Sequence, residues 1–141
     1  KMKEIKLFEN VLPQEAEMIR TRVFVEEQGF HDEFDETDRN SLHAVLFIDG
    51  KPAGTARMFT ENGGSSYHIG RMAVLKEYRK TGLGSDIMNA LCKKAKELGA
   101  EKCELSAQCR AEGFYKTLGF TAHGDTYPDE GCPHIHMEKK L

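Results

Sequence analysis

From Leu42 to Ile48 the chain is almost uninterruptedly apolar, and Asp49-Gly50 then breaks the run before a second segment, Lys51 through Phe59. Asn62-Gly63-Gly64 separates that segment from a third, Tyr67 through Val74. Both connections tolerate positive φ, so three antiparallel strands are predicted. Upstream, a short strand is expected around Ile5 to Phe8. Pro13 can open a helix in which Ala16, Ile19, Val23 and Phe24 form a stripe of period 3.6, fading at Glu27-Gln28-Gly29. Asp32, Glu33, Asp35, Glu36 and Asp38 make the next stretch too acidic for a core, and a loop or short exposed helix is expected there.

Downstream the period returns to that of a helix. Leu83, Ile87, Leu91, Ala95 and Leu98 recur every three or four residues and Gly99 supplies a stop. A strand at Lys102 to Ser106 leads to a second helix with Ala111, Phe114, Tyr115 and Leu118 on one stripe and Gly119 at its end. Phe120 and Ile135 through Glu138 then close the sheet. This order predicts an α/β (α+β) fold, a mixed sheet with helices packed on it. Without a linker, repeat or low-complexity stretch, residues 1–141 read as a single domain.

Composition narrows the function. With 39% hydrophobic and 30% charged residues and a net charge of −3, the chain lacks the basic excess of a nucleic-acid binder. No apolar run approaches the roughly 20 residues that span a bilayer, and Lys1-Met2-Lys3-Glu4 is not followed by a signal-peptide core, so a cytoplasmic protein with no membrane partner is expected. Cys92, Cys103, Cys109 and Cys132 form no C-x-x-C pair and read as reduced thiols, without a zinc-finger spacing.

The candidate chemistry begins at Arg79-Lys80-Thr81-Gly82-Leu83-Gly84. Two glycines at a strand-to-helix junction leave backbone N–H groups free to point at one anion, and the helix dipole with Arg79 and Lys80 favours negative charge. The absence of G-K-[ST] and of a third glycine separates this turn from nucleotide-triphosphate and dinucleotide motifs. Taken alone it is either a phosphate site or only a tight turn.

After the strand Met72-Ala73-Val74, Arg79-x-x-Gly82-x-Gly84 resembles the R/Q-x-x-G-x-G/A signature of the GNAT acetyltransferase superfamily. Phe114-Tyr115-Lys116-Thr117-Leu118-Gly119-Phe120 resembles its F-Y-x-x-x-G-F block. Val23-Phe24-Val25-Glu26-Glu27-Gln28 and the ending Pro133-His134-Ile135-His136-Met137 are similar to the small ElaA-like and YjcF-like proteins, and the ending alone more faintly resembles that of glyphosate-acetylating enzymes.

The resemblance implies a mostly antiparallel sheet that splays at a cofactor cleft, with helices on both faces, and acetyl-CoA as co-substrate. Met72, Ala73 and Val74 would face the pantetheine arm, and Arg79, Lys80, Thr81, Gly82, Leu83, Gly84 and Ser85 the pyrophosphate. Gln108 stands where many members have Asn before A-x-x-F-Y, an altered cofactor contact that keeps the amide. An amine attacks a thioester only when neutral, and a lysine-like amine has a pKa of about 10.4, so a base is useful. The departing thiolate benefits from an acid. By resemblance Tyr115 is the acid, also touching cofactor, and His134 the base.

Other residues compete for roles on the acceptor side. Glu27 and Gln28 are expected to orient substrate. Arg57 and Arg71 favour an anionic group on it, whereas the acidic stretch favours a cationic amine. His134 and His136 share a strand face, but no third ligand is evident and no metal is expected. The predicted activity is acetyl transfer to the amine of a small metabolite by direct attack. The rivals are a non-catalytic acyl-CoA sensor and a protein or peptide N-acetyltransferase. A homodimer is compatible with the resemblance, since dimers are common among such proteins.

Overall fold

In the computed structural model, which describes every residue except Asp32 and Asn62, the apolar runs become strands of one sheet. Those two residues belong to the predicted acidic stretch and to a predicted turn, and their part in both lies outside the described residues. Strands β1 (Lys3–Glu9), β2 (Leu42–Ile48), β3 (Lys51–Thr60) and β4 (Ser66–Val74) pair antiparallel in sequence order. Next come β5 (Lys102–Gln108), β6 (Thr121–Asp129) and β7 (Cys132–Lys140), giving the spatial order β1-β2-β3-β4-β5-β7-β6. Among the described residues, only the β4–β5 pairing is parallel.

The continuous apolar run at β2 has a simple cause: both of its faces are covered. Ala44, Leu46 and Ile48 pack with α2 (Leu83–Glu97), while Val45 and Phe47 pack with α1 (Gln14–Arg20) and the segment that follows it. Gly54 lets α2 lie close to the sheet, because a Cβ there would sit 2.8 Å from Ile87 Cδ1 and 3.3 Å from the Ala73 carbonyl. The last helix is α3 (Glu112–Thr117), after which Gly119 takes φ 94°.

The first helix departs from a uniform 3.6 period. Beyond Arg20 it widens into a π-helical segment, Thr21–Glu27, with the Gln28 N–H on the Val23 carbonyl at 3.1 Å. Val23 and Phe24 both stay buried, while Glu27 meets Arg79 and Gln28 meets Gln108.

Strand β4 also breaks regularity. Between Arg57 and Thr55, β3 uses one residue where β4 uses two, Arg71 and Met72, and Arg71 absorbs the bulge at φ 53°. On its other edge β4 pairs β5 only from Ser66 to His68. Ile69 onward then parts from Leu105 onward, so the expected splay is present.

Two expectations need correcting. The acidic stretch is partly core: Glu33 and Asp38 are 6% and 3% exposed. They survive burial because Arg20, Arg57 and Arg71 converge on them. A 3₁₀ helix, Glu36–Asn40, opened by a reciprocal cap between Asp35 and Asp38, holds the loop. The second correction is β6, none of which was expected, since extended chain was foreseen only at the preceding Phe120. It is a polar edge strand, exposed over nearly its whole length, so it lacks the apolar alternation that announces a strand. Glu130 and Gly131, both at positive φ, turn it into β7.

Candidate active site

Where β4 and β5 separate, a cleft of about 430 Å³ opens. Ile69, Gly70, Arg71 and Met72 form one wall and Leu105, Ser106 and Gln108 the other. Phe24, Gln28, Phe30 and His31 close one end, and Glu33, Ala111, Tyr115, His134, Asp129 and Glu130 complete the lining. The two predicted proton-transfer residues, remote in sequence, are therefore brought to one cavity.

Tyr115 comes from α3, its ring held edge-on to Phe114 at 5.0 Å and Phe120 at 6.0 Å between centroids. Burial pushes its phenol up to about 12, so the group stays protonated through neutral and mildly alkaline pH. His134 lies on β7, opposite Gln108 of β5 and Tyr127 of β6. Its Nδ1 is 2.9 Å from the Cys132 carbonyl, an acceptor only, so Nδ1 carries the proton and donates. In the neutral ring Nε2 is then left with a lone pair. Tyr127 stacks on the imidazole at 6.2 Å and hydrogen-bonds through its hydroxyl to Ser106.

The anion-ready turn precedes α2. Gly82 caps the helix in the left-handed region, at φ 84° and ψ 8°, and a Cβ there would touch nothing within 4 Å, so the turn is open on that side. Lys80 is also left-handed, at φ 66°. The helix start leaves the first N–H groups, those of Leu83, Gly84 and Ser85, without intrahelical partners. Gly84 serves packing instead: a Cβ there would lie 3.2 Å from Phe114 Cζ and 3.4 Å from Met72 Cε. Leu83 faces the core, and the Thr81 hydroxyl donates to the Tyr78 carbonyl at 2.7 Å.

Several predicted residues stand differently from the simplest expectation. The Arg79 guanidinium turns away from the glycines. It donates to both Glu27 carboxylate oxygens, at 2.6 and 2.8 Å, and through Nε to the Val74 carbonyl at 2.9 Å. That paired contact lowers the Glu27 carboxyl and raises Arg79. Ala73 is buried and paired with Thr55, so of Met72, Ala73 and Val74 only Met72 lines the cleft. The Gln28 side chain accepts from the Gln108 amide at 3.3 Å, joining the closed end of the cavity to its β5 wall.

The opposed charges foreseen for the acceptor side largely neutralise each other. Arg57 is 6% exposed, lies outside the cleft lining, and donates to Asp35 at 2.7 Å and Asp38 at 2.8 Å. Arg71 does line the cleft, yet pairs with Glu33 at 3.0 Å and Asp35 at 3.4 Å. Sequence reasoning missed Phe30, His31, Ser106 and the Asp129–Glu130 hairpin tip as cleft residues. Only the hairpin carried a signal, the Glu130-Gly131 pair that permits a two-residue turn.

Residues 10–141 match the family model described as the acetyltransferase (GNAT) domain. The chain belongs to the GNAT acetyltransferase family. Within that family it is 36% identical over 129 residues to the uncharacterized N-acetyltransferase YjcF of Bacillus subtilis, covering 89% of this chain and 91% of that one. The crystal structure of Escherichia coli ElaA superposes with a TM-score of 0.88 at 23% identity, over 98% of this chain and 99% of that one. An aminoglycoside 6'-N-acetyltransferase, solved with coenzyme A, shares the GNAT fold at a TM-score of 0.75 and 14% identity, with 97% and 96% covered. The ElaA-like and YjcF-like resemblance thus holds, and the protein is a GNAT-type acyltransferase. Among the described residues, no helix is long and apolar enough to cross a membrane.

Proposed function

We propose that this protein transfers the acetyl group of acetyl-CoA to the amine of a small molecule by direct attack on the thioester. The observation that carries the reading is the placement of Tyr115 and His134 on one cleft, with the His134 proton held at Nδ1 by the Cys132 carbonyl. Nε2 is the base: it takes a proton from the attacking amine. Tyr115 is the acid, and its raised pKa keeps a proton available for the departing CoA thiolate.

The cofactor would enter along the splayed edge of β4. Unpaired backbone beyond His68 on this edge offers hydrogen bonds to the pantetheine arm, and the N–H groups from Gly82 to Ser85 offer them to the pyrophosphate. The coenzyme A bound to the aminoglycoside acetyltransferase of the same fold supports this choice of co-substrate. Gln28 and Gln108 would orient the acceptor, with Glu27 holding Arg79 in place. Arg57, buried and spent on carboxylates, is left out of substrate recognition.

The test is a screen of small amines with acetyl-CoA, following release of free thiol. Turnover of at least one amine that collapses in both Tyr115→Phe and His134→Ala, with coenzyme A binding preserved, is the expected result. Tight binding of coenzyme A with no turnover across the screen would favour a sensor instead.

A further inference from the structure

A second chemical cluster lies on the sheet face opposite α2 and outside the residues that line the cleft. Strand register sets it out. His68 of β4 is opposite Glu104 of β5, which is opposite Glu138 of β7, and His136, two residues before Glu138, is opposite His123 of β6. His136 Nε2 is 3.0 Å from Glu138 Oε2 and 3.5 Å from Glu104 Oε1. His68 Nε2 is 3.8 Å from Glu104 Oε2, and His123 Nε2 is 4.0 Å from Glu138 Oε1.

We propose that Glu104, His136 and Glu138 form a binding site for a first-row divalent metal such as Zn²⁺, with His68 or His123 completing the coordination. One donor atom from each of the three lies within 4.8 Å of the others. In a tetrahedral zinc site with bonds of about 2.0–2.1 Å, neighbouring donors stand roughly 3.3 Å apart, close to the two His136 spacings above. The ligands are preset by backbone pairing on adjacent strands rather than gathered from loops. The Ser66 hydroxyl donates to Glu104 and fixes that carboxylate.

Chemistry also selects the class of metal. A mixed imidazole and carboxylate set suits zinc and its neighbours, whereas calcium and magnesium call for oxygen donors alone. Lys102 now supplies a counter-charge 3.3 Å from Glu138, but its side chain is 39% exposed and its flexible stem can swing into water. The three ligands are half-buried, with side chains 15%, 35% and 29% exposed for Glu104, His136 and Glu138, so an ion can reach them. The sequence pair His134 and His136 is not the metal pair, because His134 lines the cleft and stacks on Tyr127 while His136 turns to the carboxylates. A bound ion would staple β5 to β7 just below the point where the sheet opens.

Equilibrium dialysis of chelator-treated protein against Zn²⁺ tests the site, with Co²⁺ as a spectroscopic probe of coordination. The expected result is one equivalent bound, visible Co²⁺ bands of a four- or five-coordinate site, and an affinity loss of about tenfold or more in His136→Ala and in Glu138→Gln. Cys109→Ser and Cys132→Ser should bind as the parent does, which separates this cluster from adventitious thiol capture. Each variant's circular dichroism spectrum verifies its fold. Absence of binding, or binding that survives both His136→Ala and Glu138→Gln, overturns the proposal.

Discussion

Arg20, 1% exposed, grips Asp38 through two hydrogen bonds of 2.7 and 3.2 Å inside the protein. The same guanidinium donates to the Glu33 carboxylate at 3.0 Å and to the Glu33 carbonyl at 2.9 Å. Asp38→Ala would leave two buried arginines, Arg20 and Arg57, short of their counter-charge. A destabilisation of about 3–5 kcal/mol is expected, measured by urea denaturation.

The cluster also sets the acid limit of stability. Burial alone would raise the Asp38 carboxyl, but hydrogen bonds from Arg20 and Arg57 outweigh it and hold it at about 2. Asp35 is lowered chiefly by its hydrogen bond from Arg57. With folded values below the ordinary 3.8, both contribute stability that is complete above that value and lost as pH falls toward 2. Glu33 acts in the opposite sense, since burial raises it above 4.5 despite Arg71 and Arg20, so its protonation favours the folded state and softens the decline. Thermal melts from pH 6 to pH 2 should show the main loss between about pH 4 and pH 2. A main loss centred near pH 6 would contradict this assignment.

Replacing Tyr115 by Phe removes the proposed proton donor while keeping the ring that packs on Phe114 and Phe120. Steady-state kinetics should show kcat reduced about 10²-fold, with coenzyme A affinity changed only a few-fold. Because burial holds the phenol near 12, the parent's rate should show no alkaline decline attributable to this group below about pH 10.

For His134→Ala a different signature is expected. The defect in kcat/KM should be about 10²-fold at pH 7 and shrink as pH rises toward the pKa of the acceptor amine, where the neutral nucleophile no longer needs a base. A defect of constant size from pH 7 to pH 10 would argue for a role in substrate binding only.

Gly54→Ala tests the approach of α2 to the sheet. The added methyl would lie 2.8 Å from Ile87 Cδ1 and 3.3 Å from the Ala73 carbonyl, and Ile87 is fully buried. A loss of about 1–3 kcal/mol is expected from chemical denaturation.

How far the sequence could be read depends on whether each feature leaves a local trace. Periodic burial does: β2, the stripe of α2 and the turn at Gly82 were all legible, as was the pairing of Tyr115 with the glycine turn through family resemblance. Edge strand β6 left none, because neither of its faces is buried for most of its length. The π-helical segment was hidden for another reason. One extra residue per turn shifts side-chain direction without changing which residue types are apolar. Charge was the most misleading signal. Glu33 and Asp38 look solvated in a run of carboxylates, and only the long-range arrival of Arg20, Arg57 and Arg71 makes them interior residues. The histidine and carboxylate row was equally invisible, its members standing at positions 68, 104, 123, 136 and 138 and meeting only through strand pairing.

Arg71 belongs to two structures at once: it is the residue that bulges β4 beside the cleft, and it is a member of the ion cluster through Glu33 and Asp35. The geometry of the cleft wall is therefore tensioned by charge, from a cluster whose Glu33 and Arg71 themselves line the cavity. Acid that discharges Asp35 slackens the same strand on which the thioester would rest, so catalytic alignment should fail by a local loosening before the chain as a whole unfolds.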